Sequence, residues 1–311
     1  MEHETGMNSL LLLALALLLA PLFLGIILKV KAFFAGKKGP PLLIKYYTLL
    51  RLLRKGSVYS TSTTFVFKLG PIISCAGAMM ILLFFPLGGM APILSFHGDV
   101  IVLFYILGLG RFFTIAAALD TASPFQGMGA AREAFFGTLA EASIFAILIL
   151  FYRMTGALSF AEYFTGTTPI SLAGPAGALL LLVIVSLFMV LLTENSRVPV
   201  DDPATHLELT MIHEVMILDH SGPDLALIEL GSFYKLFFYS AFIFLIICPL
   251  KATWGMLNIP VFFGGIGLVY VAIGLVESGM ARFKMNLVPK FVLTSLILVF
   301  FAAILTMELV K

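Results

Sequence analysis

The sequence predicts an all-α polytopic membrane protein: eight transmembrane helices, one amphipathic interfacial helix and one long acidic cytoplasmic loop. Two observations carry this. Of the 311 residues, 60% are hydrophobic and only 12% charged, against roughly 25% charged in soluble domains. Four runs (Thr5–Leu28, Leu69–Gly98, Tyr163–Thr193 and Ala252–Val276) contain no Asp, Glu, Lys or Arg. Each exceeds the roughly 20 apolar residues that cross a bilayer core. A formal net charge of +2 makes no case for nucleic acid. Cys75 and Cys248 both lie in apolar stretches and read as small core residues, not a disulfide or metal clamp.

The spans fall at about 8–30, 68–87, 99–119, 132–152, 172–193, 233–250, 256–277 and 289–309, all in a single membrane domain, 1–311. Glu2 and Glu4 precede the first, with no basic region, so it reads as a retained span rather than a cleaved signal. An even number of spans puts both termini on one side. The first loop with its edges carries nine bases (Lys29, Lys31, Lys37, Lys38, Lys45, Arg51, Arg54, Lys55 and Lys68) and no acid. Arg282, Lys284 and Lys290 add to the same side, whereas the other side has little beyond Arg153 and Lys251. The positive-inside rule then makes loops one, three, five and seven cytoplasmic and sets both termini outside the cell inner membrane.

Residues 42–55 place Leu42, Leu43, Tyr46, Leu49, Leu50 and Leu53 on one helical face, with Lys45, Arg51, Arg54 and Lys55 elsewhere. That pattern is an interfacial amphipathic helix. It serves equally as a basic anchor on anionic lipid or as a substrate or partner surface.

The inner loop at about 194–232 holds eight acids: Glu194, Asp201, Asp202, Glu208, Glu214, Asp219, Asp224 and Glu229. Asp202-Pro203 has the form of an N-cap followed by proline at the first helical position, predicting a helix over about 203–219. On it Leu207, Met211, Glu214 and Leu218 would share one stripe. Glu214 would interrupt that apolar face, either desolvated towards a proton-exchanging pKa or paired with a neighbouring base. His206, His213 and His220 recur every seven residues, roughly 10 Å of helix. A single metal ion does not bridge that, which favours proton relay or polar contacts to a soluble partner.

Charges inside spans are functional candidates by default. Glu141 is the most specific, two turns beyond Arg132 and Glu133 at the opening of span four, with Arg111 of span three a possible partner. Glu277 ends span seven, and Glu229 and Lys235 flank the start of span six. The alternative readings are Glu229 as the lone partner of Lys235 and Glu277 as an interfacial residue. No phosphate-binding glycine loop, CxxC pair, nucleophile elbow or haem spacing is present, so this chain is expected to bind no cofactor and to supply no redox centre of its own.

The loop Arg197-Val-Pro-Val-Asp201-Asp-Pro…Leu207-Glu-Leu209…Asp219-His-Ser221-Gly222 resembles the signature loop of the complex I subunit-one family of membrane anchors. Lys37-Lys-Gly39-Pro40, Leu119-Asp-Thr-Ala-Ser-Pro-Phe125, Ala131-Arg132-Glu133 with Glu141, and Glu277 with Met280-Ala-Arg282 are similar to further stretches of that family. The 119–125 and 201–214 stretches look like its energy-converting NiFe hydrogenase and formate hydrogenlyase branch. The resemblance implies a membrane-anchor subunit of a NiFe-hydrogenase-type respiratory complex, linking electron transfer in a soluble arm to proton or sodium movement. Partner subunits would supply iron–sulfur clusters and the NiFe centre: an iron–sulfur small subunit and a NiFe large subunit, with antiporter-like neighbours in the membrane. The implied proton pathway is Glu141, Glu133, Glu208, Glu214, Asp219, Glu229 and Glu277. The implied docking surface is Lys37, Lys38, Arg132, Arg197, Asp201, Asp202, His206 and His213. The alternatives are a quinone-site subunit of a complex I NADH:quinone oxidoreductase and, in another class, a stand-alone secondary ion transporter.

Overall fold

The computed structural model describes the chain except residues 1, 166–169, 171, 173–176, 203–209, 251–256, 310 and 311, and the side chains also of 2–7, 165 and 307–309. The described residues are helical, without a strand. In order they form α1 (Glu2–Phe34), α2 (Ile44–Leu53), α3 (Phe65–Phe84), α4 (Asp99–Asp120), α5 (Pro124–Thr155), α6 (Phe160–Thr165), α7 (Gly177–Glu194), α8 (His213–Met216), α9 (Gly222–Ile247), α10 (Asn258–Gly279) and α11 (Val288–Leu309). Eight are long and apolar enough to cross a membrane: α1, α3, α4, α5, α7, α9, α10 and α11. These correspond to the eight spans expected from sequence.

Local chemistry sets the helix ends. Thr64 caps α3 by accepting from the Val66 amide, and its own amide and hydroxyl donate to Asp120 at the end of α4. This ties α3 and α4 into a hairpin at one end. Gly70 and Gly77 let the pair close on Ala117, Phe113 and Ile106. Proline opens α5 at Pro124, where its missing N–H costs nothing, and Gly156 in the left-handed region ends it.

Two boundaries correct the sequence reading, and both matter for the site. α5 starts at Pro124, so Arg132 and Glu133 lie two turns inside the helix instead of opening it. α9 starts at Gly222, so Glu229 and Lys235 are inside a helix rather than flanking one.

α9 is the axis of the bundle. Its span is 78% buried, against 28–56% for the others. Phe85 and Phe160 meet each other and the α9 rings Phe238 and Phe242 edge-on at 5.2–6.2 Å, an arrangement that ring quadrupoles favour. The outward faces remain apolar: Phe112, Ile149, Leu268 and Ile297 are all exposed. A continuous apolar exterior over eight such helices fits lipid rather than water.

The short α2 lies against α1 and α9. Tyr46 donates to the Leu18 carbonyl of α1, and Gly25 leaves room for the Leu42 backbone where a side chain would collide. Lys45 pairs with Glu229 at 3.6 Å and sits 5.4 Å from the centre of the Phe233 ring. Leu43, Tyr47, Leu50, Arg51 and Arg54 face outward, a mixed apolar and basic face.

The helix expected over 203–219 is corrected in its described part. Residues 210–212 are not helical, α8 is a single turn, and 217–219 form a turn. The cause is Asp201, whose carboxylate accepts from the Ile212 and His213 amides while Arg282 grips it at 2.9 Å. Those amides are thereby held by a side chain instead of an uninterrupted helix. The expected stripe breaks with it: Met211 is buried and Leu218 exposed. Leu207 and the 203–209 stretch lie outside the described residues.

Candidate functional site

One guanidinium organises the centre of the bundle. Arg111, midway along α4, donates Nη1 to Glu141 Oε1 at 2.6 Å and Nη2 to Glu194 Oε1 and Oε2 at 2.5 Å each. Its Nε lies 3.8 Å from Glu133 Oε1. Lys235 of α9 closes the group by pairing with Glu194 Oε2 at 2.9 Å. Glu194 ends α7, and its carboxylate is 1% accessible. Four membrane-crossing helices therefore meet at one ionic cluster.

The α5 sequence shows how the guanidinium fits. Glu133, Gly137 and Glu141 are spaced four residues apart, one stripe of a helix. Gly137 faces Arg111 so closely that a Cβ would stand 2.6 Å from Nη1. The missing side chain is the seat of the guanidinium, and the two glutamates flank it. Three carboxylates (Glu133, Glu141 and Glu194) against two cations (Arg111 and Lys235) leave the cluster one formal negative charge.

The cluster borders two openings. Towards the loops lies a cavity of about 70 Å³ lined by Arg111, Glu133, Glu194 and Lys235 with polar Ser74, Thr114, Asn195, Ser232 and His213. At roughly 10–15 Å³ per water and with so many polar partners, it accommodates several waters. On the outer flank of α4 and α5, a groove of about 270 Å³ lined by Phe104, Tyr105, Phe112 and Phe145 reaches Glu141, whose side chain is 37% accessible.

The other pathway residues are dispersed. Glu214 is half-buried beside the cavity residue His213. Burial pushes its carboxyl up, with Glu229 and Asp201 adding to the effect and His213 and Lys45 opposing it. Asp219 is exposed. Glu229 pairs with Lys45, and Lys235 with Glu194, so the expected Glu229–Lys235 pair is corrected. Glu277 is buried within the protein: its side chain is 1% accessible, between Lys31 at 2.9 Å and Arg197 at 3.4 Å. Glu208 and His206 lie outside the described residues.

The docking residues divide. Lys37 and Lys38 are exposed, and Asp202 and His213 are half-buried. Arg132 and Arg197 are half-buried too, donating to the Met211 carbonyl and pairing with Glu277, whereas Asp201 is fully buried against Arg282, a correction to the surface expected of it. They brace the loop.

Sequence reasoning passed over Glu194 and Lys235 as members of this centre. Lys235 left a signal: it is the one cation in the long stretch from Glu229 to Leu250, and a cation within such a helix demands a partner. Glu194 was one acid among eight in the loop.

His220 does not join the cluster. Its ring stacks on Phe67 at 3.9 Å and 9°, and burial pushes it down from 6.5 to about 4. The folded form thus binds fewer protons than the unfolded between those values. Stability should therefore fall as pH drops from about 6.5 towards 4, by of order 3 kcal/mol at full titration. His220→Gln should flatten that dependence in thermal-shift measurements; parallel curves for the two proteins would contradict it.

Eight membrane-crossing helices closed around an ionic cluster define a polytopic membrane protein with a charged, cavity-linked interior. The NADH dehydrogenase family model matches residues 7–308, and the chain belongs to that family, the complex I subunit-one membrane proteins. It is 29% identical to hydrogenase-4 component C of Escherichia coli (strain K12) over 215 residues, 69% of this chain and 66% of that protein. It is 27% identical to formate hydrogenlyase subunit 4 of the same organism over 286 residues, 87% of this chain and 89% of that one. The match thus spans just under two thirds of the first relative's length. The fold is shared with a chain of the membrane-bound sulfane sulfur reductase, an archaeal respiratory membrane complex: TM-score 0.81, 20% identity, 97% of this chain and 99% of that one.

Proposed function

We propose that this chain is the membrane anchor of a hydrogenase-type respiratory complex and couples electron transfer in a soluble arm to ion movement. The observation that carries the reading is the Arg111 cluster, which has a polar cavity on its loop side and Glu141 at an accessible flank. The curated relatives, named for hydrogenase-4 and formate hydrogenlyase, support the hydrogenase branch over the quinone-reducing one. In this reading the basic first loop and the loop at 194–232 face the cytoplasm and dock an iron–sulfur small subunit and a NiFe large subunit. Those partners hold the redox centres, and this chain binds none. Antiporter-like membrane subunits adjoin it. Redox change at the docked arm alters the charge balance of the loop acids Glu208, Glu214 and Asp219. The shift passes through the cavity to Glu133, Glu194 and Glu141, and protons or sodium ions follow.

Pull-down of the tagged chain from mild detergent should bring a soluble metalloprotein arm with it. Glu208→Gln combined with Asp219→Asn should leave that arm attached while lowering redox turnover several-fold. An isolated chain that transports ions by itself would sink the anchor reading. Full turnover in the double variant, with the arm in place, would make both acids surface decoration.

A further inference from the structure

A second ionic cluster stands apart from the first, and buried hydroxyls lie between them. Glu277 of α10, held by Lys31 and Arg197, forms the second cluster. Its carboxylate is 1% accessible, but the Lys31 side chain is 31% accessible, so this end reaches the bundle's exterior. Helical spacing runs a stripe from each cluster towards the other. On α9, Tyr239 lies one turn from Lys235. On α10, Tyr270 lies two turns from Glu277; the Val30 side chain of α1 packs over Gly274 between them, so the link between the two runs past Arg197, which pairs with Glu277. Tyr239 feels the charges of Glu194 and Arg111; Tyr270 feels that of Arg197 and sits beside the Ser240 hydroxyl.

Tyr239, Ser240 and Tyr270 are all fully buried. Apart from the contact between Tyr270 and Ser240, none of their hydroxyls has a hydrogen-bond partner among the described residues, and neither does Arg197 Nε. A buried hydroxyl without a partner is costly, and phenylalanine would fill either tyrosine site without that cost. Internal water is the usual partner of such groups.

We infer that Tyr239, Ser240 and Tyr270 form a proton relay between Glu277 and Glu194. The inference rests on the ion-coupling reading above and adds to it a second branch that bypasses the loop acids. Each hydroxyl accepts a proton on a lone pair as it releases its own onward, and bridging waters do the same. One O–H bond forms for each that breaks, no hydroxyl keeps a charge, and a carboxylate at either end receives the proton.

The test uses the assembled complex in membrane vesicles, recording membrane potential per electron transferred beside subunit content. Phenylalanine keeps the ring contacts of Tyr270 with Phe23 and of Tyr239 with Phe238, both 5.2 Å. A purely structural role therefore predicts at most a small loss of stability, with ion movement per electron unchanged. In Tyr239→Phe with Tyr270→Phe, subunit content should stay normal and ion movement per electron fall about tenfold or more, the scale of a lost proton-transfer group. Ser240→Ala should fall likewise, and Ser240→Thr, which keeps the hydroxyl, should recover. Should the double variant fail to assemble, the Ala and Thr pair decides the question. Full ion movement in the Ala variant or the double variant overturns the relay. Glu141→Gln run alongside separates the two ideas: loss there with full movement in the hydroxyl variants removes the relay alone, full movement throughout removes the relay and Glu141 together, and wild-type vesicles that build no membrane potential remove the ion-coupling reading itself.

Discussion

Arg111→Leu should all but remove this subunit from the membrane complex. The guanidinium is the shared partner of Glu133, Glu141 and Glu194, and the Glu194 carboxylate is 1% accessible. Deleting one partner of a buried ionic group leaves the others charged and uncompensated, at a cost of about 3–5 kcal/mol. Lys235 still answers Glu194, but no other cation reaches Glu141 or Glu133 among the described residues. A cost of that size approaches the whole stability of many domains. Arg111→Lys should recover only part of the loss. Its compact ammonium cannot reach three carboxylates at once, whereas the planar fork engages Glu141 through one nitrogen and Glu194 through another. Immunoblots of subunit content in washed membranes, with thermal stability of whatever complex remains, measure this directly. Normal content in Arg111→Leu would mean the carboxylates are protonated or solvated, and the cluster would lose its claim to organise four helices.

The spans were legible because charge-free apolar runs have one solution in lipid, and all eight helices follow them. Helix ends were less legible. Pro124 and Gly222 open their helices well before the apolar runs begin, because a polar first turn of a helix looks like loop. That error hid the centre of the site. With α9 starting at Gly222, Lys235 sits more than three turns in and meets Glu194, whereas the apolar pattern alone places it at the helix start with Glu229. Glu141 and Arg111 were visible because a lone charge inside an apolar run is conspicuous. The loop misled for a different reason. Asp202-Pro203 signals a helix start, but Asp201 takes the Ile212 and His213 amides for itself, a long-range contact with no local signature. The same contact turned an expected docking carboxylate inward.

Glu141→Gln should assemble normally and lose ion movement. The geometry at first favours the opposite outcome, since Glu141 sits 2.6 Å from Arg111 and could be no more than its brace. Three facts weigh against that. Arg111 keeps Glu194 at 2.5 Å and Glu133 at 3.8 Å when Glu141 is neutral. The glutamine carbonyl still accepts from Nη1, so the hydrogen bond survives and about 1 kcal/mol of stability is at stake. And Glu141 is the member whose side chain reaches the outer groove, 37% accessible against 1% for Glu194, so it is the one placed to pass a proton onward. The cluster's excess negative charge disappears in this variant: two carboxylates face two cations, and the one carboxyl that reaches the outer groove is gone. Glu141→Asp should keep part of the activity, because the carboxyl survives on a shorter stem. Membrane potential and subunit content, measured in the same vesicles, discriminate. Loss of content ahead of loss of ion movement would make Glu141 a brace for Arg111. Full ion movement with full content would take it out of the mechanism, and the groove beside it would then have to be explained by packing against a neighbour alone.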